Sequence, residues 1–223
     1  MFVVTVLALD SAGARCSVCL AHDGVVIERA LAQPRAHASH ILGMVSQVLA
    51  EAGIELGQVS TLAYGEGPGA LTGLRVAASV VQGFALVTGA RIVAVSNLLA
   101  LATRVGTTVA PGTRVVIAHE AGMGMVCVQS FDTAKAATVI ARDKPAVVEP
   151  GDVSWPEGPL CVAGGGSARV ALPAAAGWWG GAATLAHASD IVAAVAAGGG
   201  REVAIAQAQP VYLRHPVDGN ITL

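Results

Sequence analysis

Residues 3–9 form an apolar run interrupted only by Thr5, the pattern of a strand buried on both faces near the centre of a sheet. Residues 16–21 and 25–31 follow as two more strand-like runs on either side of Asp23-Gly24, which predicts a hairpin. The period then changes. Ile41, Leu42, Met44, Val45, Val48, Leu49 and Ala52 recur at helical spacing within residues 37–52, and Gly53 supplies the stop. Residues 59–64 read as a strand, a helix begins at about Thr72, residues 91–95 as a strand and 96–104 as a helix. The order β-β-β-α-β-α-β-α is the repeating unit of the actin, Hsp70 and sugar-kinase fold, although other α/β folds share it.

The second half is less regular. Strands are expected at 114–118, 125–131, 137–141, 146–148 and 160–163, with helical stretches at 168–171 and 189–197. The expected organisation is a first lobe over residues 1–104, a trimmed second lobe over 105–208 and a tail over 209–223, whose Pro210 and Tyr212 suit an extended segment docked on the body.

Composition narrows the class. At 223 residues the chain is long enough for a sizeable core, and 54% hydrophobic residues against 13% charged ones exclude a disordered chain. A net charge of −2 leaves no basic footprint, so any contact with RNA is expected to run through a partner. The apolar start has no positive flank and is broken by Asp10, which argues against a signal peptide. The uncharged stretch 170–189 carries Pro173 and several glycines, poor material for a bilayer span. Cys16 and Cys19 mimic a redox pair, but their odd offset in a strand points them to opposite faces; with Cys127 and Cys161 they read as buried thiols of a cytoplasmic protein.

The densest signal is Gly65-Glu66-Gly67-Pro68-Gly69-Ala70-Leu71-Thr72-Gly73-Leu74-Arg75, four glycines and a proline between a strand and a helix. Such a backbone is specified by something that packs against it or binds it. Gly65, Gly67 and Ala70 fit the spacing of a dinucleotide fingerprint, but no acidic residue closes the next strand, and no Lys-Ser or Lys-Thr follows for a phosphate loop. A metal centre is not expected. Residues 96–101, Ser-Asn-Leu-Leu-Ala-Leu, are poor ligands, no His-Glu-x-x-His occurs, and His37 with His40 lacks a third ligand. No cofactor is expected either. Asp10 and Ser11, with the glycines Gly164, Gly165 and Gly166, could form a vestigial nucleotide site, since their turns expose backbone amides.

The two helices of the first lobe offer a second candidate. The first has an apolar arc wider than one sheet face needs, and the second carries Gly73, Ala77, Ala78, Ser79 and Gly83, which allow close approach. The residues themselves leave open whether these faces are buried at home or meet another subunit.

The motifs Leu7-Ala8-Leu9-Asp10-Ser11-Ala12, Pro34-Arg35-Ala36-His37, the 65–75 junction, Gln82-Gly83, Val95-Ser96 and Pro210-Val211-Tyr212-Leu213-Arg214 together resemble the bacterial TsaB (YeaZ) family. That resemblance covers residues 3–104 well and the remainder thinly. It implies an α/β protein of the actin-like, Hsp70-like (ASKHA) class with two lobes. It also implies a non-catalytic subunit that pairs with a TsaD-type transferase, with a TsaE-type ATPase joining, to place the threonylcarbamoyl group on the adenosine beside the tRNA anticodon. By the same resemblance the partner contact, or a homodimer contact, would use His37, Ile41, Met44, Val45, Val48, Leu71, Arg75, Ser79, Gln82 and Gly83. Two departures stand out: Ala70-Leu71 where the family has Ser-Phe, and Glu120-Ala121-Gly122-Met123-Gly124 where it has Asp-Ala-Arg-Met-Gly. The alternative of another class is an actin-fold ATP-dependent kinase or acyl-transfer enzyme.

Overall fold

The computed structural model describes residues 4–32, 37–134, 138–174, 176–178 and 185–213, with the backbone only for 37, 38 and 178. In chain order the elements are β1 (Val6–Asp10), β2 (Cys16–His22), β3 (Val25–Leu31), α1 (His37–Ala52), β4 (Thr61–Gly67), α2 (Leu71–Thr88), β5 (Arg91–Ser96) and α3 (Asn97–Gly106). There follow β6 (Arg114–Gly122), β7 (Met125–Thr133), β8 (Val139–Ala141), β9 (Ala146–Val148), β10 (Leu160–Ala163), β11 (Ala176–Trp178), α4 (Ala188–Ala196) and β12 (Arg201–Val203). They fold as two compact units. One takes the chain up to Asn97 together with Ala186–Val211, the other Leu98–Leu185 and the residues from Tyr212 onward.

The first unit is built on a six-stranded sheet in the order β12-β5-β4-β1-β2-β3. β1 pairs β4 and β4 pairs β5 in parallel, while β1 with β2, β2 with β3 and β5 with β12 are antiparallel. The apolar run of β1 is buried along its whole length, as its central position requires. The hairpin between β2 and β3 turns on Asp23 and Gly24, both at positive φ (50° and 76°), which matches the strand twist. Leu7 and Leu9 belong to one cluster with Val18 and Leu20 of β2, Ile41, Val45 and Val48 of α1, and Ala77, Ala78 and Val81 of α2. Alternation turns Ala8 and Asp10 to the other face, where α4 packs on β1 and β2.

That placement of α4 corrects the expected domain limits. The sequence pattern puts residues 188–208 in the second lobe of 105–208, whereas α4 and β12 complete the first unit. Gly198 and Gly200, at φ 80° and 89°, reverse the chain after α4, and Gly200 passes so close to β5 that a Cβ would meet Val93 Cγ1 at 2.7 Å. β12 itself, Arg-Glu-Val, has no strand pattern to read; it is held by pairing with the edge of β5.

The second unit carries a six-stranded sheet in the order β11-β10-β6-β7-β8, with β9 also on β7. β10 lies parallel to β6 and β11; the pairs made by β7 are antiparallel. The expected helix at 168–171 is a single 3-10 turn, Ser167–Arg169. The departure at Gly122 has a structural reading. β6 turns into β7 through Gly122, Met123 and Gly124 at φ 78°, 49° and 81°, a left-handed path that an arginine at 122 would adopt only under strain.

Candidate functional site

The glycine junction after β4 is a seat for the chain's own backbone. A Cβ on Gly73 would lie 1.7 Å from the carbonyl oxygen of Ser11, one on Gly69 2.5 Å from Ala12 Cβ, and one on Gly65 2.5 Å from Asp10 Oδ1. The absent side chains thus admit the turn that follows β1. Polar contacts fix it there: Ser11 Oγ donates to the Gly73 carbonyl at 2.7 Å, and the Ala70 amide donates to the Ala12 carbonyl at 2.6 Å. Gly67, at φ 123°, makes room in the same way for Val211, whose amide donates to the Glu66 carbonyl at 2.7 Å.

Asn97 closes this arrangement, a role that no sequence motif announced. Its Nδ2 donates to Asp10 Oδ1 at 2.7 Å, and its Oδ1 accepts the Gly67 amide at 2.9 Å, so one amide side chain ties β1 to β4. Asp10 is only 2% exposed. Burial pushes its carboxyl from 3.8 up to about 7, against the opposing pull of Asn97 and the Ala12 amide; Asp190 and Glu28 add repulsion in the same upward direction. Asp10 and Ser11, the first part of the nucleotide expectation, thus have buried side chains that are hydrogen-bonded within this unit.

The second part of that expectation lies in the other unit. Gly164, at φ 102°, sits where a Cβ would meet the Ala118 carbonyl oxygen at 2.2 Å, and the Gly166 amide donates to that same carbonyl at 2.9 Å. Ser167 Oγ donates to the Gly164 carbonyl at 2.7 Å. The turn through Gly164, half-buried Gly165 and Gly166 is thereby packed onto the end of β6. Beside it, burial holds His119 below the usual histidine range, with Glu120 pulling the other way.

Among the described residues no group of three or more His, Cys, Asp or Glu side chains could hold a metal. Cys16, Cys19, Cys127 and Cys161 are buried free thiols, and burial pushes the first three up to about 12.

The expected partner face divides. Ile41, Met44, Val45 and Val48 of α1 are core residues of their own unit, with exposures of 0–7%, so they support the helix from within. The wide apolar arc arises because Leu42, counted with them, points outward and is 52% exposed. Gln82 is half-buried and donates through Nε2 to the Ile205 carbonyl at 2.9 Å, which holds the returning C-terminal segment. The side chain of His37 lies outside the described residues, as do Pro34, Arg35, Ala36 and Arg214.

α2 keeps an outer face. Its Gly73, Leu74, Ala77, Ala78, Val81 and Ala85 are buried, whereas Leu71 is 48% exposed and Arg75, Ser79 and Gly83 stand in the open. A Cβ on Gly83 would meet nothing within 4 Å. Near the helix end Leu86 and Val87 are still more exposed, a feature hidden in the sequence because the whole run is uncharged. A groove of about 350 Å³ lies between the two helices, lined by Leu42, Thr72, Arg75, Val76, Ser79 and Val80. By length and composition α2 is apolar enough to cross a bilayer, yet its buried side is the one packed on the sheet.

A family model described as TsaD, tRNA N6-adenosine threonylcarbamoyltransferase, matches residues 21–178. The chain is 33% identical to the tRNA threonylcarbamoyladenosine biosynthesis protein TsaB of Escherichia coli K12, over 95% of each protein. It is 40% identical to the TsaB of Haemophilus influenzae over a shorter stretch, 44% of this chain and 42% of that one. The solved structure of YeaZ from Pseudomonas aeruginosa superimposes with a TM-score of 0.81 at 36% identity, covering 94% of this chain and all of the other.

Proposed function

Because the chain belongs to the TsaB (YeaZ) family, we propose that it serves tRNA threonylcarbamoyladenosine biosynthesis as a non-catalytic subunit that binds a TsaD-type transferase. In this reading the protein acts in the cytoplasm, a TsaE-type ATPase joins the pair, and tRNA is met only through the complex. The observation that carries the reading is the outer face of α2, where Leu71, Arg75, Ser79 and Gly83 line up along the helix beside the groove at Leu42. A helix that served only to cover its own sheet would gain nothing by leaving leucine and valine outside.

Small residues at the middle of this face let a partner helix come close, and a large charged one would hold it off. Ser79→Arg should weaken binding of the transferase from the same cell by about thirtyfold or more, the equivalent of about 2 kcal/mol lost at a contact centre. Since Ser79 is exposed, the variant's melting temperature should stay that of the wild type. Calorimetric titration of the two purified proteins measures the effect. Unchanged affinity would remove the face, and a homodimer broken while the heterodimer persists would reassign it to self-association.

A further inference from the structure

The second unit contains a cavity that the proposed function does not use. It measures about 530 Å³ and opens over one face of β6 and β7. Strand alternation puts Arg114 and Val116 of β6 on that face, opposite Asp132 and Ser130 of β7. No long helix is needed to close it: Trp155, from the segment that follows β9, packs against Val116, Leu160 and Val162 and forms a wall. Val116 and Val128 make the apolar floor.

Cations and carboxylates are equal in number around the space, Arg114, Arg142 and Lys144 against Asp132, Asp143 and Asp152, but they are not paired one to one. Arg114 and Arg142 share a single carboxylate, Asp132, at 2.9 and 3.1 Å, and Lys144 has neither an ion pair nor a hydrogen bond among the described residues. Asp143 also lines the space, but both its oxygens are occupied by Ser130, one by the amide at 2.9 Å and one by the hydroxyl. Asp152 remains as an acceptor for a hydroxyl or an amine. A void lined by Lys144, which has no ion pair among the described residues, by Arg142 and by the Trp155 indole offers contacts to a molecule with both an anionic group and a flat body. The volume falls within the usual range of small-molecule sites, about 300–1,000 Å³.

We propose that this cavity binds a nucleotide-sized organic anion, its phosphate or carboxylate held by Lys144 and Arg142 and its planar body lying against Trp155. Calorimetric titration of the full chain tests this with four probes: adenosine 5′-monophosphate, adenosine 5′-carboxylate, adenosine and inorganic phosphate. At least one of the two anionic nucleosides should bind, and the stronger identifies the anion. Adenosine alone and phosphate alone should each bind at least about tenfold more weakly, because each lacks half of the complement. Lys144→Glu and Arg142→Ala should each weaken the preferred probe by about tenfold or more, the worth of one charge-assisted hydrogen bond. Lys144 is exposed and has no partner among the described residues, so Lys144→Glu should keep the wild-type melting temperature. The absence of binding by both anionic nucleosides at millimolar concentration would overturn the proposal. So would phosphate binding as tightly as either of them, or nucleoside binding that survives Lys144→Glu.

Discussion

Replacing Asp10 by Asn should change how stability depends on pH, with a sign set by the burial of the carboxyl. The carboxyl is raised from its ordinary 3.8 to about 7 in the folded protein, chiefly by burial. A raised carboxyl favours the protonated folded state. Its contribution is complete below the unfolded value and is lost as pH climbs through the folded value, because the unfolded chain ionises first. Between pH 4.5 and pH 7.5 that loss amounts to about 3 kcal/mol, and above about pH 8 it stays constant. His119 acts in the opposite sense. Its folded value is lowered by burial, so its neutral form costs stability as pH falls below the ordinary histidine range. Burial raises Glu66 as well, in the sense of Asp10, so the wild-type curve mixes several groups, and the informative quantity is the difference between Asp10→Asn and wild type. Asparagine preserves an acceptor for Asn97 but cannot ionise. Urea unfolding at a series of pH values should show the variant gaining about 3 kcal/mol on the wild type from pH 4.5 to 7.5, whatever constant offset the amide introduces. A difference that stays flat across this range would refute the account of Asp10 as a desolvated, internally bonded carboxyl.

Other perturbations probe the same seat. Gly73→Ala places a Cβ 1.7 Å from the Ser11 carbonyl, a backbone atom that cannot swing aside, so denaturant unfolding should show a loss of about 2 kcal/mol or more. Gly83→Ala is its control: with nothing within 4 Å of the new Cβ, stability should hold or rise by about 0.5–1 kcal/mol from helix propensity. Asn97→Ala removes the partner of a buried carboxyl and of the Gly67 amide together, and should cost about 2–4 kcal/mol by the same measurement.

The elements of the first unit were readable because each is written in local periodicity. The apolar run of β1, the Asp23-Gly24 turn and the helical spacing of α1 depend on no distant residue. What failed to show was settled at long range. β12 is a strand because it reaches the edge of β5, and α4 belongs to the first unit because its amides find β2 and β3. The Ala188 amide donates to Ser17 Oγ at 2.9 Å, and the Ser189 amide to Glu28 Oε1 at 3.0 Å. Neither contact leaves a period in the sequence.

Glycine-rich segments are ambiguous for a related reason. A missing Cβ admits an anion or a neighbouring carbonyl equally well, and only the distances to Ser11, Ala12 and Ala118 show that here it is the chain itself that fills the space. The same ambiguity ran through the two helices, because an apolar stripe looks alike whether its own sheet or a second protein covers it. Burial separates the cases. Ile41, Met44, Val45 and Val48 are consumed by the core, while Leu71, Leu86 and Val87 stay outside on a helix whose inner side is already filled. The weight of the partner reading thus moves from α1 to α2. On α1 the exposed apolar side chain at the rim of the groove is Leu42, which under the proposed function would share the contact.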